Sequence, residues 1–316
     1  RTIAVNSPGR SVLIGNVDND PEKEIVLAGG YVYDANSGAN EWLHSSAFGD
    51  HIALADIDGD GIQEIFGSPS WGEPTLFSAT LKSPLWSMEN FNTCSLNAGN
   101  LDDDPEDELL VGDCQWGNIS VYDASMTGAV KTFDTFMIEH GSVSLALGDA
   151  NNDGRDNVIW GSGISSSGED ILVVASIGEG SFTNIWHNSD PAQLDYFTSA
   201  GMAQVSPGER KAVFIAPKTD SGYGGQRVIL LGDDGDFEVS AEINSNWDKA
   251  SFGVVTDYDK DFYDDIFLSS SHLYDGAILA IELNSMEAEW THQRNEYNDD
   301  YHVVVAHDLN QDGFED

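Results

Sequence analysis

The feature that most constrains this chain is an acidic motif of nine residues that returns along its length, each time but the last ahead of a short apolar run. Side-chain oxygens stand at its first, third, fifth and ninth positions. They are Asn16, Asp18, Asp20 and Glu24 in the first copy; Asp56, Asp58, Asp60 and Glu64 in the second; Asn100, Asp102, Asp104 and Glu108 in the third; and Asp149, Asn151, Asp153 and Asn157 in the fourth. After a wider gap come Asp257, Asp259, Asp261 and Asp265, then Asp308, Asn310, Asp312 and Asp316. The gap holds a degenerate copy, Gln204–Ala212, which keeps the frame and the apolar run Val213–Ile215 but has weakened or lost the oxygens. Seven copies are therefore in frame and six are competent for metal. Their spacing of about 40 to about 55 residues suits propeller blades and is too long for β-helix coils.

Alternate carboxylates and amides on a tight turn point their oxygens inward, which is what a hard cation with six to eight oxygen ligands requires. Gly or Pro at the sixth position lets the chain reverse. The start resembles an EF-hand loop, but the closing acid comes at position nine and a β-run follows where an EF-hand would place a helix. Magnesium rarely uses all-protein cages, and zinc and copper prefer His and Cys, neither of which recurs here. The expected cofactor is calcium, about six ions in a structural role.

These units resemble FG-GAP or VCBS repeats, the blades of the integrin α-subunit propeller and of many bacterial secreted proteins. Gly15-Asn16, Gly99-Asn100 and Gly148-Asp149 match the Gly-Asp/Asn start of that family, and Phe252-Gly253 its Phe-Gly element. The resemblance implies a calcium-binding β-propeller over nearly the whole chain. The fifth unit departs from the pattern and should bind no ion.

Each unit reads as four short strands. The first leads into the acidic loop (Ser11–Ile14, His51–Leu54), and the second is the apolar run. The third reads Tyr31–Asp34, Ile119–Asp123 or Val228–Leu231, and the fourth often carries a tryptophan (Trp42, Trp86, Trp186, Trp290), expected to pack between or over blades. The predicted fold is an all-β propeller of four-stranded antiparallel blades in a single domain. Its units run over about 1–45, 46–90, 91–135, 136–190, 191–245, 246–295 and 296–316. It is expected to have seven blades, the last incomplete, with Thr2–Val5 as a closing outer strand. A six-bladed ring with a stray strand is the alternative. The chain begins without Met and stops on a loop, so it is read as part of a longer polypeptide.

Cys94 and Cys114 flank the third loop symmetrically, and antiparallel pairing would bring them opposite each other, within disulfide range. A disulfide implies an oxidising compartment, and loops of this kind suit extracellular calcium. The expected location is secreted or cell-surface. The formal charge of −42 argues against nucleic acid and anionic membranes as partners, and no apolar stretch is long enough to insert. Six divalent ions would cancel only part of that charge, so the surface itself is acidic.

No Gly-x-Ser-x-Gly elbow, phosphate-cradling glycine loop or His-Glu-x-x-His motif is present, so the chain is read as a non-enzymatic module. The loops opposite the acidic ones carry aromatic and imidazole groups suited to stacking on sugars or anchoring a protein: Trp71, Trp116, Tyr223, Trp247 and His272. The predicted partner is a protein or glycan on that face. The alternatives are an extracellular carbohydrate-active enzyme of the polysaccharide-lyase kind, poorly supplied by 13 basic residues for neutralising uronates, and an assembly domain of a larger surface protein.

Overall fold

The computed structural model describes residues 4–89, 92–114, 117–134, 142–150, 153–162, 171–178, 181–189, 198–217, 226–231, 237–243, 249–271, 277–293, 303–309 and Gly313. Its strands form six four-stranded antiparallel sheets, each built from strands consecutive in sequence. The first strands are Val12–Gly15, His51–Ala55, Thr93–Gly99, Ser142–Gly148, Thr198–Ser206 and Lys249–Thr256. The second strands are Glu24–Leu27, Glu64–Ser68, Glu108–Asp113, Asn157–Ser162, Glu209–Pro217 and Asp265–Ser271. The third are Tyr31–Asp34, Thr75–Ser78, Ile119–Ser125, Ile171–Gly178, Gln226–Leu231 and Ala277–Glu282. The fourth are Asn40–Leu43, Ser83–Ser87, Gly128–Asp134, Ser181–Ser189, Phe237–Ile243 and Glu287–Gln293. First strands of successive sheets pack side by side, from the first blade through to the sixth.

The expectation of seven blades is therefore corrected to six. The Asp308 copy carries no strand among its described residues, and Ala4 and Val5 belong to none either, so the proposed Thr2–Val5 closing strand is not formed there. A loop motif alone does not make a blade: it needs three further strands to pair with and a neighbour to cover them.

Apolar layers between neighbouring blades make up the core. Ile65 packs in the layer with Val26 and Val32 of blade one, while Phe66, the next residue, packs with Leu96 and Leu109 of blade three. The same pattern joins blades three to four, four to five and five to six. Second strands with a blade on either side, such as Glu64–Ser68 and Glu108–Asp113, are thus buried on both faces, which is why they read as continuous apolar runs without alternation. Phe66 has no exposed surface, a burial that contributes roughly 1.5–3 kcal/mol.

Close approach of blades also explains the glycine that precedes three of the loops, Gly15, Gly99 and Gly148. A Cβ on Gly15 would lie 2.3 Å from the Gln63 side chain and 2.5 Å from Leu54, and one on Gly99 would lie 2.6 Å from Leu147. Cys94 and Cys114 form the expected disulfide, Cα atoms 4.8 Å apart, with Cys94 at an irregularity in the pairing of its hairpin. This indicates an oxidising environment. No helix among the described residues is long and apolar enough to cross a membrane.

Candidate metal centres

In five blades the first strand ends one residue before the motif, and the second begins at its ninth position. Gly15 pairs with Glu24, Ala55 with Glu64, Gly99 with Glu108, Gly148 with Asn157 and Thr256 with Asp265. The residues between form a closed loop held by its own carboxylates. Asp56 accepts the amides of Gly59, Asp60 and Gly61 at 2.8, 3.1 and 2.9 Å, and Asp60 accepts Ile62 at 2.8 Å. The bond from the sixth amide to the first carboxylate recurs as Gly154 to Asp149 (3.0 Å), Phe262 to Asp257 (3.2 Å) and Gly313 to Asp308 (2.7 Å). Gly61 takes φ +85°, the left-handed region open to glycine at little cost. Phe262 adopts φ +80° in blade six and is 79% exposed.

The ninth residue turns inward. Glu24 accepts the Val17 amide at 2.7 Å, and Glu108 the Leu101 amide at 2.7 Å. Each glutamate uses one oxygen this way and keeps a second. Asn157 has one oxygen and gives it to the Ala150 amide at 2.6 Å, while its amide donates to Ser176. Blade four therefore offers the fewest carboxylate oxygens of these five loops.

Acidic oxygens converge within 4.8 Å of one another in five groups among the described residues. These are Asp18, Asp20 and Glu41; Asp56, Asp58 and Asp60; Asp102, Asp104 and Glu108; Asp257, Asp259 and Asp261; and Asp265, Glu282 and Glu289. Several oxygens here are buried without a hydrogen-bond partner: Asn16 Oδ1, Glu24 Oε1, Glu41 Oε2, Glu64 Oε2, Asp257 Oδ1 and both oxygens of Asp265. Leaving an ionised carboxylate so buried costs several kcal/mol unless a proton or a cation balances it. The donor set of hard oxygens fits a hard cation. Asn151, Asn310, Asp312 and Asp316 lie outside the described residues.

Without a cation, protons do the balancing. Burial is the main cause that raises Glu24 and Glu108 to about 7, and Glu64 to about 8 with help from Asp58 and Asp60. Burial, then Glu282 and Glu289, raise Asp265 to about 8. The folded state thus holds these protons more tightly than the unfolded chain, whose glutamates titrate near 4.5. Stability of the metal-free protein is fullest below that value and is lost as pH rises through the folded values near 7 to 8. Thermal unfolding of metal-stripped protein should show a melting temperature that falls from pH 5 toward pH 8.5. A rise over that range would contradict these assignments.

Neighbouring loops are latched together through the eighth position, a role that sequence reading missed. The amides of Gln63, Asp107, Asp156 and Asp264 donate to the first-position carbonyls of the preceding blade's motif, Asn16, Asp56, Asn100 and Gln204, at 2.7–3.0 Å. Asp107 also accepts the Asp56 amide at 2.8 Å, and Asp264 the Gln204 amide at 2.6 Å. The recurring acid at position eight in four copies (Asp107, Asp156, Asp264 and Glu315) was the available signal. In blade five the acidic loop is replaced by a tight hairpin: pairing runs to Ser206 and Glu209 around Pro207 and Gly208, the latter at φ +79°. Arg210 keeps the latch there by donating to the Asp149 carbonyl. The frame of Gln204–Ala212 thus survives for its contacts, without its acids.

No protein-family model matches the sequence, and no curated protein matches it. Among solved structures the chain is similar to the C-terminal WD40 domain of Sif2, at 14% identity and TM-score 0.58 over 92% of this chain and 73% of that one. It is similar to BBS1N, solved in complex with ARL6DN, at 10% identity and TM-score 0.60 over 91% and 82%. It also resembles the exotype rhamnogalacturonan lyase YesX, at 14% identity and TM-score 0.51 over 91% and 66%. At these identities the likeness is one of fold. The fold is a six-bladed β-propeller.

On the propeller's other face stands Trp71. It follows the end of Glu64–Ser68, a strand whose start is the ninth position of the second loop, so the two sites sit at opposite ends of one strand, roughly 17 Å apart. Trp71 is 55% exposed and adopts φ +59°, a strained conformation for a bulky side chain. Hydrogen bonds hold it so. Ser70 donates to Asp50 (2.8 Å), Trp71 to the Thr93 carbonyl (2.9 Å) and Thr93 Oγ1 to the Gly72 carbonyl (2.9 Å). Beside this loop lies a groove of about 460 Å³ lined by His44, Phe48, Pro69, Glu73 and Phe77. Trp116, Tyr223, Trp247 and His272 lie outside the described residues. Trp42 is buried against Phe48 (5.1 Å), Trp86 donates to the Ser125 carbonyl of blade three (2.8 Å) and Trp290 packs edge-on to Phe267 (5.8 Å).

Proposed function

We propose that this chain is a calcium-stabilised, extracellular propeller of the FG-GAP/VCBS kind that acts as a non-enzymatic binding or adhesion module. A protein or glycan would bind the face opposite the acidic loops. The observation that carries the binding reading is Trp71, a strained and exposed aromatic clamped by three inter-segment hydrogen bonds beside an aromatic-lined groove. Strain of about 1–3 kcal/mol at an exposed position is sustained only where its surroundings over-determine it, which favours a functional role. A flat, rigid indole suits stacking on a sugar ring or filling a partner's pocket.

Calcium is supported by the donor chemistry and by the orphaned buried oxygens, and the extracellular setting by the disulfide. The ions act as structural ties: each neutralises acids that repel one another and pins the loop joining two strands. The test of the binding reading is a glycan and surface-protein screen in calcium, with wild type and Trp71→Ala. Truncating a central aromatic anchor should weaken the best hit by about 2 kcal/mol or more, a loss of some thirtyfold, with an unchanged melting temperature. Equal binding by the two proteins would retire the site. Turnover of a polysaccharide by the wild type would instead favour the enzyme reading.

A further inference from the structure

Every blade whose strand pairing is described has an irregularity between its third and fourth strands at one equivalent place. In blade one, Val32 pairs with Trp42 and Tyr33 with Asn40, so Glu41 is the extra residue. In blade six, Ala280 pairs with Trp290 and Ile281 with Ala288, so Glu289 is the extra residue. The same position holds Leu85 in blade two and Thr132 in blade three. Bulges re-aim side chains, and here two of them aim a carboxylate at the acidic loop. Glu41 meets Asp18 and Asp20 within 4.8 Å, and Glu289 meets Asp265 and Glu282 within the same distance. In blade six the third strand adds an acid as well, Glu282, which pairs with Asp265 and lies in the same group.

These are more than surface acids lying close together. Asp265 is fully buried with both oxygens unpartnered, and one of its oxygens lies in the group formed with Glu282 and Glu289. In blade one Glu24 is fully buried with Oε1 unpartnered, and Glu41 Oε2 is buried and unpartnered too. Lys82 approaches Glu41 but donates to its backbone carbonyl, at 2.7 Å. Tyr258 donates to Glu289, leaving the second oxygen of that carboxylate to the group.

We infer that blades one and six each hold a widened divalent-cation site completed by an outer-strand glutamate, Glu41 or Glu289, and that these two sites bind more tightly than the loops of blades two and three. Cation affinity in oxygen cages rises with the number of charged ligands, and these blades add one from the fourth strand. The inference rests on the calcium reading above and adds an order of affinities to it. An ion held in this way ties the outer edge of its blade to the inner loop. The loops of blades two and three tie only the first two strands.

The test is a calcium titration of chelator-stripped protein by isothermal calorimetry, with Glu41→Gln, Glu289→Gln and the double variant. Melting temperature at saturating calcium serves as a check on folding. Two sites should titrate ahead of the rest, each single variant should weaken one of them by at least about tenfold, and the double variant should abolish the tight class. Thr132→Glu, which places a carboxylate at the same bulge of blade three, should add a third tight site and needs no loss of fold to be read. Calcium bound as a single class, unchanged in all four variants, would overturn the inference while leaving structural calcium standing. An absence of calcium binding by the wild type would overturn both.

Discussion

Chelation should lower the melting temperature of this protein by more than about 10 °C. A site held at a hundred times its Kd contributes about 2.7 kcal/mol, and several sites acting on one ring add to a large part of the stability of a domain. Removing the ions also leaves the fully buried Glu24 and Asp265 either protonated or charged without a partner. Both effects act in the same direction at neutral pH. The check is differential scanning fluorimetry in excess EDTA against millimolar calcium, with magnesium as a control. An unchanged melting temperature would remove structural calcium from the account.

Replacing both cysteines by serine should destabilise the protein by about 3 kcal/mol, the loop-closure value for a crosslink of this length. Cys94 and Cys114 are separated by 20 residues, and the third acidic loop lies between them. Disulfide and the proposed cation would therefore staple the same hairpin. The loss should be larger in EDTA than in calcium, because each tie covers in part for the other. Denaturant unfolding of wild type and the double serine variant, with and without calcium, measures this coupling. Equal losses in both conditions would show that the two ties act independently.

Much of the architecture was legible because each unit repeats a local rule. The apolar run after each of the first six loops, the third strands read at Tyr31–Asp34 and Ile119–Asp123 (the latter observed over Ile119–Ser125) and the hairpin that brings Cys94 to Cys114 are all set by neighbouring residues. Blade number was not, since it depends on whether a motif finds strands to pair with, and the described residues of the Asp308 copy form none. The candidate metal centres were legible only along the loop. Glu41, Glu282 and Glu289 come from third and fourth strands, whose acids read as solvated positions until a bulge or a register turns them inward. The latch at position eight was visible as a recurring acid in Asp107, Asp156 and Asp264, but its partner lies in the preceding blade, about a whole repeat away. Glycines ahead of the loops carried information of the same long-range kind, because the atoms they make room for belong to the next blade.

The most direct measurement is the metal content of the purified protein. After dialysis against calcium and removal of free ion, mass spectrometry of the elements should find calcium as the bound metal, approaching one ion for each of the six intact motifs. Mutating Asp58 and Asp60 to alanine together should lower the count by one, and altering Ser206 or Glu209 of the silent copy should leave it unchanged. A wild-type protein that holds no calcium at millimolar concentration, or that exchanges it freely with the same melting temperature, would contradict the reading of these loops as calcium sites.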